Sequence, residues 1–189
     1  ISDVSVVEGV DAVFAVSLDK PSFESITVAL ATAEGTALDP EDYTGYSGGS
    51  ITFAPGETSK NITIATIDDA IYEVTENFTL NGEVTSGTTV NTTASGTGTI
   101  TDNDGDAPTL SISDVSVVEG VDAVFAVSLD KPSFESITVA LATVEGTALD
   151  PEDYTGYTGG AITFAPGETS KNITIVTIDD AIYEVDENF

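Results

Sequence analysis

Apolar and polar residues alternate along most of this chain. In Ala12–Leu18 the side chains of Phe14, Val16 and Leu18 fall on one face. Ile26, Val28 and Leu30 alternate with Thr27, Ala29 and Ala31. Ile51-Thr52-Phe53 and Asn61–Ile64 keep the same period of two, and Phe78–Val84 and Thr92–Thr101 complete the set. That period belongs to strands with one face buried. A further strand opens at Ile1. Turn formers separate these runs at Glu8-Gly9, Asp19-Lys20-Pro21, Gly48-Gly49 and Ala54-Pro55-Gly56-Glu57. No stretch of useful length carries a helical period. The pattern predicts an all-β module of about seven strands, an antiparallel, immunoglobulin-like two-sheet sandwich.

The module occurs twice. Ile1–Phe78 recurs as Ile112–Phe189, 111 positions on, with five differences: Ala33/Val144, Ser47/Thr158, Ser50/Ala161, Ala65/Val176 and Thr75/Asp186. A period of this length suits a sandwich domain and is too long for a solenoid unit. The expected organisation is a first repeat over residues 1–104, a linker over 105–111, and a second repeat over 112–189. The second repeat reads as cut before its last two strands. Either its own chain or a neighbouring molecule is then expected to complete it.

Composition narrows the function. The chain carries 33 Asp and Glu against 4 Lys and Arg, a formal net charge of −29, yet 40% of it is hydrophobic. That apolar share sets it apart from a disordered acidic tail. Nucleic-acid binding needs a basic footprint, which is missing here. No apolar run is long enough for a transmembrane helix, so no membrane insertion by this segment is expected. With no Cys and no His, disulfides, Zn–thiolate sites, cysteine nucleophiles and Ser–His–Asp triads are excluded. A divalent cation is the compact partner for such a charge.

The densest acidic run is Ile67–Phe78, repeated as Ile178–Phe189. It joins two strand-like runs and so forms a loop at one end of a sandwich. Asp68, Asp69, Glu73 and Glu76 crowd four acids into nine residues, and they repel unless a cation lies between them. Calcium takes six to eight oxygens from such clusters. An acidic run is often only a solvated loop. Three further acidic sites shift the balance: Glu8 after the first strand, Asp42 in Asp39–Tyr43, and Asp102-Asn103-Asp104 after the last strand. All can fall at the end that holds the Asp68–Glu76 loop. Asp39 and Asp150 precede prolines and read mainly as turn formers. The Asn-x-Thr triplets at Asn61, Asn77, Asn91 and Asn172 match glycosylation acceptors, although Thr-rich strands produce them by chance.

These residues resemble the Calx-β domain family. The likeness rests on Glu8-Gly9, on Gly35-Thr36-Ala37 followed by Asp42-Tyr43, and on Ile51–Glu57. It continues through Ile67-Asp68-Asp69 to Glu76-Asn77-Phe78 and closes on Thr99–Asp104. The resemblance implies calcium ligation by Glu8, Asp42, Asp68, Asp69, Glu73 and Glu76, by the main-chain carbonyl of Ile71, and by Asp102, Asn103 and Asp104. In the second copy it implies Glu119, Asp153, Asp179, Asp180, Ile182, Glu184 and Glu187. Two positions depart from the family pattern: Ala70 and Asn103 each stand where an acid is common.

The resulting expectation is a calcium-binding structural repeat of an extracellular surface adhesin or filament. Calcium would rigidify the domains and their junctions, and the partners would be neighbouring repeats or like subunits. The alternatives are a calcium-sensing regulatory tandem and a strand-exchanging filament subunit. Paired carboxylates could serve a glycosidase, but each acid cluster has a metal-ligand reading, and no enzymatic activity is expected.

Overall fold

The computed structural model describes all residues, Ile1–Phe189. It contains strands and turns and no helix. The chain divides into two compact units: Ile1–Asp69 with Glu73–Gly105, and Ala70–Tyr72 with Asp106–Phe189.

The first unit contains β1 (Val4–Val7), β2 (Ala12–Ser17), β3 (Ile26–Glu34), β4 (Gly49–Phe53), β5 (Ser59–Ile64), β6 (Glu76–Ser86) and β7 (Thr93–Thr101). One sheet has the order β1-β7-β6-β3-β4, and β2 pairs with β5 in the other. Alternation sets the faces. Ala12, Phe14 and Val16 are buried while Val13 is exposed, and Ile26, Val28 and Leu30 are buried on β3. The inward residues of both sheets form one core, which includes Phe14, Tyr43, Phe53, Ile64, Phe78, Leu80 and Ile100. Burying each large apolar side chain contributes about 1.5–3 kcal/mol. Gly98 is required by this packing: a Cβ there would lie 2.6 Å from the Phe78 ring.

One pairing departs from the all-antiparallel expectation. β1 runs parallel to β7, with Val4 opposite Gly98 and Val7 opposite Thr101. These are the first and last strands of the unit, and both point toward the same end. Their parallel pairing therefore sets Glu8, after β1, beside Asp102, after β7. The Glu8 amide donates to the Thr101 carbonyl at 3.0 Å.

The second unit contains β8 (Leu110–Ile112), β9 (Ala123–Leu129), β10 (Ile137–Leu141), β11 (Gly160–Phe164) and β12 (Ser170–Ile175). Its sheets are β12-β9-β8 and β10-β11. β8 starts at Leu110, inside the stretch expected to be linker, because Leu110 and Ile112 pair with Leu129 and Val127. Val115–Val118 repeats the sequence of β1 but forms no strand. No counterpart of β7 stands beside it. The core is split for the same reason: one cluster surrounds Ala123, Tyr154 and Ile175, and another surrounds Val127, Leu129 and Phe164. A cavity of about 270 Å³ lies between Phe125, Val127, Leu141, Tyr157 and Phe189.

Candidate metal centre

Asp42, Glu76 and Asp68 are placed by local backbone features. The Leu38–Asp42 turn closes on itself: the Asp42 amide donates to the Leu38 carbonyl at 2.9 Å, and the Leu38 amide donates to Asp42 Oδ2 at 2.6 Å. The Ile67 amide donates to the Asp42 carbonyl at 2.9 Å, tying this turn to the start of the acidic loop. Glu76 opens β6, opposite Ile100 on β7. Because side chains alternate, Glu76 faces inward with Phe78 and Leu80. Gly9 adopts φ +72°, and a Cβ there would lie 2.8 Å from that of Asp68. Only glycine lets the chain after β1 pass so close to the acidic loop.

Two carboxylate groups result. Oxygens of Asp42, Glu73 and Glu76 lie within 4.8 Å of one another, as do those of Glu8, Asp69 and Asp104. Asp42, Glu76 and Glu8 are buried, with 6%, 4% and 5% of their surface exposed. Glu76 Oε2 is buried with no hydrogen-bond partner. Like charges about 4 Å apart repel by roughly 4 kcal/mol at an effective dielectric of about 20.

The protonation equilibria reflect that cost. Burial first, then Asp42 and Glu73, pushes Glu76 up to about 8 from the ordinary 4.5. Glu73 rises to about 7 through burial, followed by Asp42, Asp69 and Glu8. Glu8 also rises to about 7 through burial, against a lowering hydrogen bond from the Asn103 amide. Groups that hold protons this firmly, with one oxygen orphaned, fit a hard cation bound through oxygen.

The remaining acids lie around these two groups. Asp68 is exposed and accepts a hydrogen bond from Asn103 Nδ2 at 2.7 Å. Asp102 is half-buried, and its Oδ1 accepts from the Asp104 amide at 3.3 Å. Ile71 is half-buried in the acidic loop. Asp39 caps its own turn, its Oδ1 accepting from the Gly45 amide at 3.0 Å, and Asp150 does the same with Gly156 at 3.0 Å.

In the second unit Asp153, Glu184 and Glu187 form one group within 4.8 Å. Asp153 keeps its turn, with the Leu149 amide donating to Oδ2 at 2.7 Å. Glu184 and Glu187 are both exposed, and a partial loss of water around each carboxylate, followed by Asp153, raises both above the ordinary range. Glu119 is exposed where Glu8 is buried. Asp179 still meets Gly120 as Asp68 meets Gly9. Asp180 Oδ1 accepts from the amide of Ile182, which is itself exposed. The structure therefore gathers three of the carboxylates proposed for this copy, and Glu119, Asp179 and Asp180 stay outside that group.

Sequence reading did not anticipate the donor role of Asn103 or the contact of Gly9 with Asp68. The Glu8-Gly9 pair was the available signal for the second.

Comparison with known proteins decides the family. The Calx-beta domain model matches residues 2–104 and again 101–189. The chain belongs to the Calx-beta family. Among relatives, it is 28% identical over 185 residues to sodium/calcium exchanger 1 of Canis lupus familiaris, covering 87% of this chain and 19% of the exchanger. It is 29% identical over 193 residues to extracellular matrix protein 3 of Lytechinus variegatus, covering 94% of this chain and 6% of that protein. The chain thus spans about a fifth of the exchanger it matches. The crystal structure of the calcium binding domain CBD12 of CALX1.1 shares the tandem Calx-beta fold. It has a TM-score of 0.50 and 23% identity, covering 95% of this chain and 74% of that one.

Proposed function

We propose that this Calx-beta tandem binds calcium at the acidic end of its first unit and responds to calcium concentration as a regulatory sensor. The carrying observation is the Asp42–Glu73–Glu76 group, in which Asp42 and Glu76 are buried and Glu73 half-buried, with its orphaned Glu76 Oε2. Such a group is costly in the free protein and is relieved by a cation. The ligands would be Glu8, Asp42, Asp68, Asp69, Glu73, Glu76, Asp102, Asn103 and Asp104, with the Ile71 carbonyl. Glu119, Asp153, Asp179, Asp180, Glu184 and Glu187, with the Ile182 carbonyl, would form the weaker set. Calcium supplies positive charge without demanding rigid geometry, which suits ligands drawn from several loops. The exchanger relatives and the likeness to the calcium binding domain CBD12 support the sensing reading. A ligand held at a hundred times its Kd would stabilise the fold by about 2.7 kcal/mol per site. Calorimetric titration with calcium, beside melting curves in chelator, tests this. An unchanged melting temperature would remove the proposal.

A second reading is an extracellular structural repeat. The likeness to extracellular matrix protein 3 and the near-identity of the copies favour it. The surface adhesin or filament expected from sequence draws no support from these relatives. In a structural repeat, calcium near Asp102–Gly105, where the chain leaves the first unit, would stiffen that exit. Scattering with and without chelator distinguishes the two: a maximum dimension unchanged by calcium argues against the structural role.

A further inference from the structure

We propose that Asn103 is a positioning residue that holds the acidic end of the first unit together before any metal arrives. This rests on the reading of that end as a calcium site. Asn103 makes two contacts that no acid could make in full. Its main-chain amide donates to Glu8 Oε1 at 2.9 Å, and its side-chain Nδ2 donates to Asp68 Oδ1 at 2.7 Å. One residue thereby ties the end of β1 to the acidic loop from the segment that follows β7. The direction of the second bond is fixed by chemistry. An ionised carboxylate only accepts, so the amide must present its N–H rather than its carbonyl. Hydrogen bonds to a charged acceptor are also among the stronger ones.

An acid at this position would reverse the effect. It would face Asp68 with a like charge in place of a donor, while the main-chain bond to Glu8 would remain. The cluster would then need a cation to close. Asn103 substitutes a neutral donor for part of that cation, so the free site is preorganised while the charge available to the ion falls. Where no counterpart of Asn103 exists, in the second unit, Glu119 lies exposed.

Three variants test this: Asn103→Ala, Asn103→Asp and Asn103→Ser, each in the full chain. In chelator, Asn103→Ala and Asn103→Asp should both lower the melting temperature of the first unit by about 4–8 °C. In saturating calcium, Asn103→Asp should recover the loss and bind calcium at higher molar ratio, whereas Asn103→Ala should not recover and should bind about tenfold more weakly. Asn103→Ser keeps a hydroxyl donor and should restore part of the chelator stability. A merely structural role would instead depress Asn103→Asp equally with and without calcium, and that result overturns the proposal. So does Asn103→Ala melting like the parent chain in chelator. If the parent chain shows no calcium effect at all, the calcium reading fails, while the chelator melts still judge Asn103. If Asn103→Ala does not fold, parent-like melting of Asn103→Ser supports the donor role, and a loss in Asn103→Ser as large as in Asn103→Asp opposes it.

Discussion

Phe78 lies flat on Tyr43, with ring centroids 4.2 Å apart and planes 12° apart, and Phe189 meets Tyr154 at 4.2 Å and 17° in the second unit. In each unit this stack joins the start of the β6 sequence to the residue after the Asp42-type turn. Glu76 and Asp42 are thus brought together by an aromatic contact beneath them.

Phe78→Ala should accordingly cost about 3–5 kcal/mol, read by urea denaturation, and should weaken calcium binding without touching a ligand. Phe189→Ala should cost less, since Phe189 is only half-buried. Equal losses for the two would contradict the packing described.

Above about pH 8, where Glu76 is ionised in the metal-free fold, Glu76→Gln removes a buried charge that burial, Asp42 and Glu73 oppose. The metal-free variant should melt higher, each kcal/mol gained being worth about 4–8 °C in a unit of this size. Calcium affinity should fall about tenfold or more, because ligand charge sets affinity. Calorimetry and melting in chelator check both signs. A variant that melts lower in chelator would mean that Glu76 serves the free fold.

The pH dependence has a defined direction. Glu8 and Glu73 titrate near 7 and Glu76 near 8, all above the ordinary 4.5. Between about 4.5 and 8 the metal-free fold binds more protons than the unfolded chain. The stability these groups contribute is complete below 4.5 and is lost as pH rises through 7 to 8. Calcium must displace those protons, so its affinity should rise over the same window. Titration heats measured in buffers of different ionisation enthalpy should reveal proton release near pH 7. Buffer-independent heats would refute it.

The second unit should gain a full site if it is extended. Appending a copy of Thr79–Asp104 after Phe189 supplies the β6–β7 sequence. Val115–Val118 should then pair as β1 does, Glu119 should become buried, and calcium stoichiometry should rise. Hydrogen exchange at Val115–Val118 reports the pairing. Amides that exchange as fast as in the shorter chain would show that β7 does not template this strand.

Much of the candidate site was legible in sequence because its densest part is local. Asp68, Asp69, Glu73 and Glu76 lie within one loop between two strand patterns, while Glu8, Asp42 and the Asp102–Asp104 triplet stood out as acidic sites at other turns, to which the resemblance gave ligand roles. Their division into two groups was not legible. Nor was the outward position of Asp68, or the use of Asn103 as a donor. Those depend on which loops meet, and a loop's neighbours are set by strands far away in the chain.

The sequence by itself determined the strands, the turns and the repeat, since alternation of side chains and the φ preferences of Gly and Pro act over a few residues. Tertiary structure decided the rest. The same Val-Ser-Val-Val is a strand at Val4–Val7 and exposed chain at Val115–Val118. The difference is the presence of β7, whose parallel pairing supplies hydrogen-bond partners and a core face. The same glutamate is buried at Glu8 and exposed at Glu119, because Thr101 and Asn103 cover only the first. Long-range pairing fixes burial, and burial turns an acidic sequence into a site that needs a cation.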